Sequence, residues 1–185
     1  MWFLNSQDGQ RVLWLRPNQE FIIGKRNKHL KGTDKDNSLS RTHATLISCG
    51  SVVIVKDCNS THGTWVKKGN SDDFKREKQI SLEHNDQVRF GLCTVYNICY
   101  VEMTISYSSV SSHDLIKLNH LSAKYDLILK KDLQQSSICL ICGGNVFSAK
   151  KALALVMQIP VVSLDWLYGW DDVDSYSFEI PDFEK

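Results

Sequence analysis

Up to about residue 105 the chain alternates short apolar runs with turn signals. RVLWLR (11–16), FIIG (21–24), HATLISC (43–49) and SVVIVKD (51–57) are rich in β-branched and aromatic residues. GTWVK (63–67), DQVRFG (86–91) and VYNICYVEMTI (95–105) continue the series, with breaks at 6–10, 27–38, 49–51, 59–63 and 69–73. Many short runs without helical periodicity predict the strands of an all-β sandwich. After residue 105 the pattern changes. Residues 113–125 place Ile116, Leu118, Leu121 and Ala123 near helical spacing, and DLILK (126–130) and ICLIC (138–142) read as short buried strands. SAKKALALVMQ (148–158) predicts a helix with Ser148 as its N-cap. A strand at PVVS and a last short helix at LDWLYGW (164–170) follow. Strands alternating with helices predict a small α/β domain with a parallel sheet. The expected division is therefore 1–105 and 106–185, with almost no linker.

Composition narrows the function classes. A chain of 185 residues can bury two small cores, and 42% hydrophobic content with only 3 Pro excludes a disordered chain. A formal net charge of +1 argues against wholesale electrostatic capture of nucleic acid or anionic membrane. No apolar run reaches the 18 residues of a membrane span, so no membrane partner is expected. MWFLNSQDGQ lacks the basic start and long apolar stretch of a signal peptide, which leaves cytosol or nucleus as the expected home. Cys139 and Cys142 form a CxxC, but inside the apolar run ICLICGG and without a second CxxC or an HxxxH. Buried thiols are expected there, and no metal.

Three polar clusters lie in turns between the predicted strands: GKR (24–26), SRTH (40–43) and NSTHGT (59–64). Loops at one end of a sandwich gather together. A phosphate dianion needs charge-assisted donors in fixed geometry. Ser40 offers a hydroxyl and an N–H, Lys25 or Arg26 a cation, Arg41 a fork, and Thr61 a hydroxyl from the facing loop.

Four motifs, IIGKR, LSRTHATL, NSTHGTWVK and HNDQVRFG, stand in the order of the forkhead-associated (FHA) domain, which the first domain resembles. The resemblance implies phosphothreonine-peptide binding. Ser40 and the basic residue after Gly24 would hold the phosphate, and Arg41 and Thr61 would contact phosphate or peptide backbone. His43 would brace the two loops rather than act as a general base. Gly24 and Gly63 are expected to supply backbone conformations closed to other residues. Two positions depart from the family pattern. Its usual arginine is Lys25 here, with Arg26 next, so either is the basic anchor. Its asparagine before Gly-Thr is His62, so either peptide affinity is altered or His62 donates in its place.

The tail resembles a BRCT repeat, through ICLICGG, SAKKALAL and IPVVSLDW with the helix carrying Trp166. The resemblance implies that Trp166 belongs to the core. Repeats of this family that bind phosphate use a Ser or Thr after the first strand and a Lys opening the central helix. Ser108 or Ser109 and Lys150 are the candidates, against a plain polar turn and a solvated helix face. Such repeats work in tandem pairs and only one fits here, so a second is expected beyond residue 185. An FHA domain running directly into a BRCT repeat resembles the regulatory subunits of nuclease–ATPase complexes that sense DNA double-strand breaks. This implies a nuclear adaptor that recruits partners bearing phosphothreonine-Asp motifs. The nuclease and ATPase subunits would be met through regions outside this chain. Lys25, Arg26, Lys28 and Arg41 could form a basic rim for those aspartates.

Three competing readings remain. One is a BRCT-centred protein or DNA scaffold with a weak FHA site. Another is an enzyme, but no nucleophile elbow, P-loop or HExxH is present, so neither catalytic residues nor cofactors are expected. The third is direct DNA binding by the second domain, which the acidic run Asp171, Asp172, Asp174, Glu179, Asp182 and Glu184 opposes.

Overall fold

The computed structural model describes residues 1–7, 9, 12–25, 36–144 and 148–172. They fall into two units, one spanning Met1–Val101 and one running from Glu102. The first contains ten strands: β1 (Trp2–Ser6), β2 (Val12–Leu15), β3 (Glu20–Ile23), β4 (Ala44–Cys49), β5 (Val52–Asp57), β6 (Thr64–Lys67), β7 (Lys75–Glu77), β8 (Gln79–Leu82), β9 (Gln87–Phe90) and β10 (Val95–Tyr100). They form a six-stranded sheet, β2-β1-β10-β9-β6-β7, and a four-stranded sheet, β3-β4-β5-β8, all pairings antiparallel. Alternate residues point inward, as the two-residue period requires. Phe21 and Ile23, Leu46, Val53 and Val55, Val88 and Phe90, and Tyr96 and Ile98 build a shared core.

Three strands escaped the hydrophobic pattern. β7 and β8 come from the largely polar stretch KREKQISL and lie at the sheet edges, where Leu82 alone among their side chains is fully buried. β1 is the opposite case. Trp2, Phe3 and Leu4 are all buried between β2 and β10, so no alternation marks them as a strand.

The single run expected at 95–105 divides. β10 closes against β1 and β9, while β11 (Thr104–Ser108) opens the parallel sheet of the second unit. That unit continues with α1 (Ser112–Tyr125), β12 (Ile128–Lys130), β13 (Ser137–Cys142), α2 (Ala149–Val156), β14 (Val161–Val162) and α3 (Asp165–Tyr168), then a short 3-10 turn at Gly169–Asp171. Strand order is β12-β11-β13-β14, all parallel. The two longer helices, α1 and α2, start on serine caps. Ser111 Oγ accepts the Asp114 N–H at 3.1 Å, and Ser148 Oγ accepts the Lys151 N–H at 3.2 Å. Trp166 and Trp170 are buried edge to face, ring centroids 5.3 Å apart, and Tyr125 lies 5.6 Å from Trp170.

Cys139 and Cys142 lie on β13, three residues apart, so their side chains leave opposite faces of the sheet and cannot converge on one ion. Burial pushes the Cys139 thiol up to about 12. No helix among the described residues is long and apolar enough to cross a membrane.

Candidate functional site

The loops 24–25, 36–43 and 58–63 meet at one end of the first unit, and His43 is their common brace. It follows Ser40-Arg41-Thr42 directly into β4 and is fully buried. Its main chain is held on both sides, with its N–H donating to Ile23 O at 2.7 Å and its carbonyl accepting from Cys58 N–H at 2.8 Å. The ring completes the brace. Nδ1 accepts the Ser40 N–H at 3.2 Å, so the proton sits on Nε2, which donates to Gly63 O at 3.0 Å. Burial lowers the imidazole's proton affinity below its ordinary range, outweighing the opposing pull of Gly63 O and of Asp57 and Asp36. A neutral ring with both nitrogens occupied has no nitrogen left to act as a base.

Ser40 stands between the loops. Its Oγ accepts the Thr61 N–H at 3.1 Å, and its carbonyl accepts the Lys25 N–H at 3.1 Å. Among the described residues the hydroxyl donates to no group, so its proton is available to an incoming acceptor. Arg41, Thr61 and His62 are exposed around it. The Lys25 ammonium lies 3.4 Å from Asn37 Oδ1. Arg26 and Lys28 lie outside the described residues.

The glycines do two different jobs. Gly63 has φ +81°, a conformation that favours glycine. Gly24 does not have a positive φ, which differs from the expected conformational role. A Cβ at Gly24 would meet Arg41 O at 2.2 Å and Ser40 O at 2.9 Å, so its lack of a side chain lets the SRTH loop lie directly on β3.

Sequence reasoning missed the inner support of the 59–64 loop. Asp57 Oδ1 accepts the Ser60 N–H at 2.9 Å, and Oδ2 accepts the Ser60 and Thr64 hydroxyls at 2.6 and 2.8 Å. Ser60 Oγ in turn accepts the Gly63 N–H at 3.0 Å. Burial alone would push the Asp57 carboxyl up, but these hydrogen bonds outweigh it and hold it below the ordinary value of 3.8. The signal in the sequence is Asp followed by Ser three residues later, the spacing at which a carboxylate closes a turn on backbone N–H. On the neighbouring loop, Asp36 Oδ1 takes the Ser38 N–H and hydroxyl at 2.8 and 2.6 Å. Both carboxylates are thus engaged by the serines of their own loops.

In the second unit Ser108 ends β11, its carbonyl accepting the Gly143 N–H at 3.2 Å. Ser109 is exposed with φ +54°, and a Cβ on Gly143 would meet its carbonyl oxygen at 2.2 Å. Lys150 sits in the first turn of α2, but its ammonium is hydrogen-bonded to Lys131 O and lies 3.7 Å from Asp132 Oδ1. The polar groups that hold it belong to the turn after β12, so an anion here would compete with a carboxylate already present.

Among proteins of known family, the FHA domain model matches residues 16–91. Among solved structures, the S. pombe Nbs1 FHA-BRCT1-BRCT2 domains match with a TM-score of 0.70 at 16% identity, over 99% of this chain and 65% of that one. The S. pombe Nbs1-Ctp1 complex matches with a TM-score of 0.69 at 15% identity, over 100% of this chain and 62% of that one. The chain therefore spans less than two thirds of those structures' chains. At this identity the likeness is one of fold: an FHA β-sandwich followed by a BRCT-like α/β unit. No curated protein matches the chain in sequence.

Proposed function

We propose that the first unit is a phosphothreonine-peptide reader. The observation that carries this is the state of Ser40: its oxygen already holds the Thr61 N–H, which leaves its own proton free to donate to a ligand. Arg41 is exposed beside it, with no ion-pair partner within 4.0 Å among the described residues. A hydroxyl donor and a guanidinium fork, with Lys25 alongside, suit a phosphate dianion better than a neutral ligand. Thr61 and His62 then face the peptide backbone on the opposite loop. Within this reading Lys25 and Arg26 remain the two candidates for the basic anchor, and Ser108, Ser109 and Lys150 a secondary candidate site.

The fold likeness to the Nbs1 FHA-BRCT structures, and the fact that one of them is a complex with Ctp1, support a further step. We infer that the chain is the N-terminal part of a nibrin-like adaptor that brings phosphorylated partners to a nuclear double-strand-break repair complex. Contacts to that complex's nuclease and ATPase subunits would lie outside this chain. Fluorescence anisotropy tests the site. A phosphothreonine-Asp peptide should bind with micromolar affinity, its unphosphorylated twin should not, and Arg41→Ala should weaken the former. Equal binding of the two peptides would overturn the reading.

A further inference from the structure

A second cation stands on the far side of the 59–64 loop, and sequence motifs did not point to it. Arg76 lies on β7, paired with Trp65 of β6. Its guanidinium lies over the bare Cα of Gly63: a Cβ there would meet Arg76 Nε at 2.4 Å and Cζ at 3.0 Å. The left-handed, side-chain-free residue in the recognition loop is thus also what seats the arginine against that loop. One Nη2–H donates to Ser60 O over a long 3.4 Å, which leaves most of the five donors of the fork unused. Among the described residues no carboxylate lies within 4.0 Å of it. Glu77, its neighbour on the strand, makes no ion pair with it within 4.0 Å. Asp57 is occupied by Ser60 and Thr64. Arg76 and Lys78 line an open cleft of about 380 Å³ behind the loop, together with Asp57 and Glu77.

Resting on the phosphopeptide reading, we infer that Arg76 is a specificity-determining residue that reads an aspartate or glutamate carboxylate of the bound peptide. A peptide gripped at Ser40 and crossing Thr61 and His62 passes toward Gly63. Thr61 and Gly63 are two residues apart, at most about 7 Å of chain. The acidic residue is therefore within a few positions of the phosphothreonine. Two cations flank one loop, and each takes one anion: the phosphate on the Ser40 and Arg41 side, the carboxylate on the Arg76 side.

The test is a set of phosphothreonine peptides on an alanine background, with a single Asp moved through the four positions on either side. Affinities are read by anisotropy for wild type, Arg76→Gln and Arg76→Lys. Wild type should gain about fivefold or more from Asp at one position. Arg76→Gln should erase that gain there, and Arg76→Lys should restore part of it. If Arg76→Gln keeps the same gain, the inference is overturned while phosphopeptide binding stands. If wild type binds no phosphopeptide, both fall. If Arg76→Gln and Arg76→Lys lower every affinity equally along with the melting temperature, Arg76 is only a brace for the loop and the inference is again overturned.

Discussion

Replacing His43 with alanine isolates the brace on which the site depends. The substitution leaves the Ser40 N–H and the Gly63 carbonyl without their ring partners, 3.2 and 3.0 Å away in the native structure. Gly63 is buried and Ser40 half-buried, so water replaces these bonds poorly. The Gly63 carbonyl keeps the Gly91 N–H at 3.1 Å, so only the Ser40 N–H is orphaned, at about 1–3 kcal/mol; the vacated ring volume adds to it, which places the loss at roughly 2–4 kcal/mol. For a unit of this size that is a fall in melting temperature of about 8 °C or more. Hydrogen-exchange mass spectrometry on peptides from β4 and β5 reads the first unit without interference from the second. The same residue sets a pH dependence. Its proton affinity is lowered on folding, so the unfolded chain takes up a proton first as pH falls. Its contribution is fully present above the ordinary value of 6.5 and is lost progressively as pH falls below it toward the folded value. The alanine variant should lack that acid-side slope. A loss below about 1 kcal/mol, or an unchanged slope, would refute the bracing role.

Three further outcomes follow from the same geometry. Ser40→Ala should weaken phosphothreonine-peptide binding by about 1.5–3 kcal/mol, roughly ten- to a hundredfold by anisotropy, while barely moving the melting temperature, because the Thr61 it also contacts is exposed. Gly24→Ala should lower both stability and peptide affinity, since its methyl must displace the Arg41 carbonyl; a loss of about 1–3 kcal/mol is expected in urea denaturation. Asp57→Ala should destabilise the first unit by roughly 2–4 kcal/mol, and its stability should fall less steeply as pH drops through the lowered carboxyl range, where the wild type loses the Asp57 contribution by protonation and Asp36 still titrates.

The strands with a buried face were legible in the sequence, because alternation at β3, β4, β5, β9 and β10 reports directly on that face. In α1 only Leu118 and Leu121 of the expected set are buried; Ile116 and Ala123 are exposed, and Ser122 and Tyr125 complete the inner face instead. The edge strand β7 buries no side chain fully and β8 only Leu82, too few positions to mark a strand, and this also hid Arg76. That side chain reaches the site only because the β6–β7 hairpin folds residue 76 back onto Gly63. Local motifs marked the loops that form the site, but the support beneath them is long-range. Nothing in SRTH says that its histidine reaches across to Gly63, and nothing in IIGKR says that the glycine is there to clear space for Arg41. Likewise, the start of α2 could be read from Ser148, but the hold of Lys131 and Asp132 on Lys150 depends on the turn after β12.

The central claim is that one loop cluster, Ser40, Arg41 and Thr61, takes the phosphate. Titrating the ¹⁵N-labelled chain with a phosphothreonine-Asp peptide and following its amide resonances tests this residue by residue. The largest shifts should fall on Ser40, Arg41, Thr61 and His62, and should vanish with the unphosphorylated peptide. Shifts centred instead on Ser109, Lys150 and Lys151, or the same shifts without the phosphate, would contradict it.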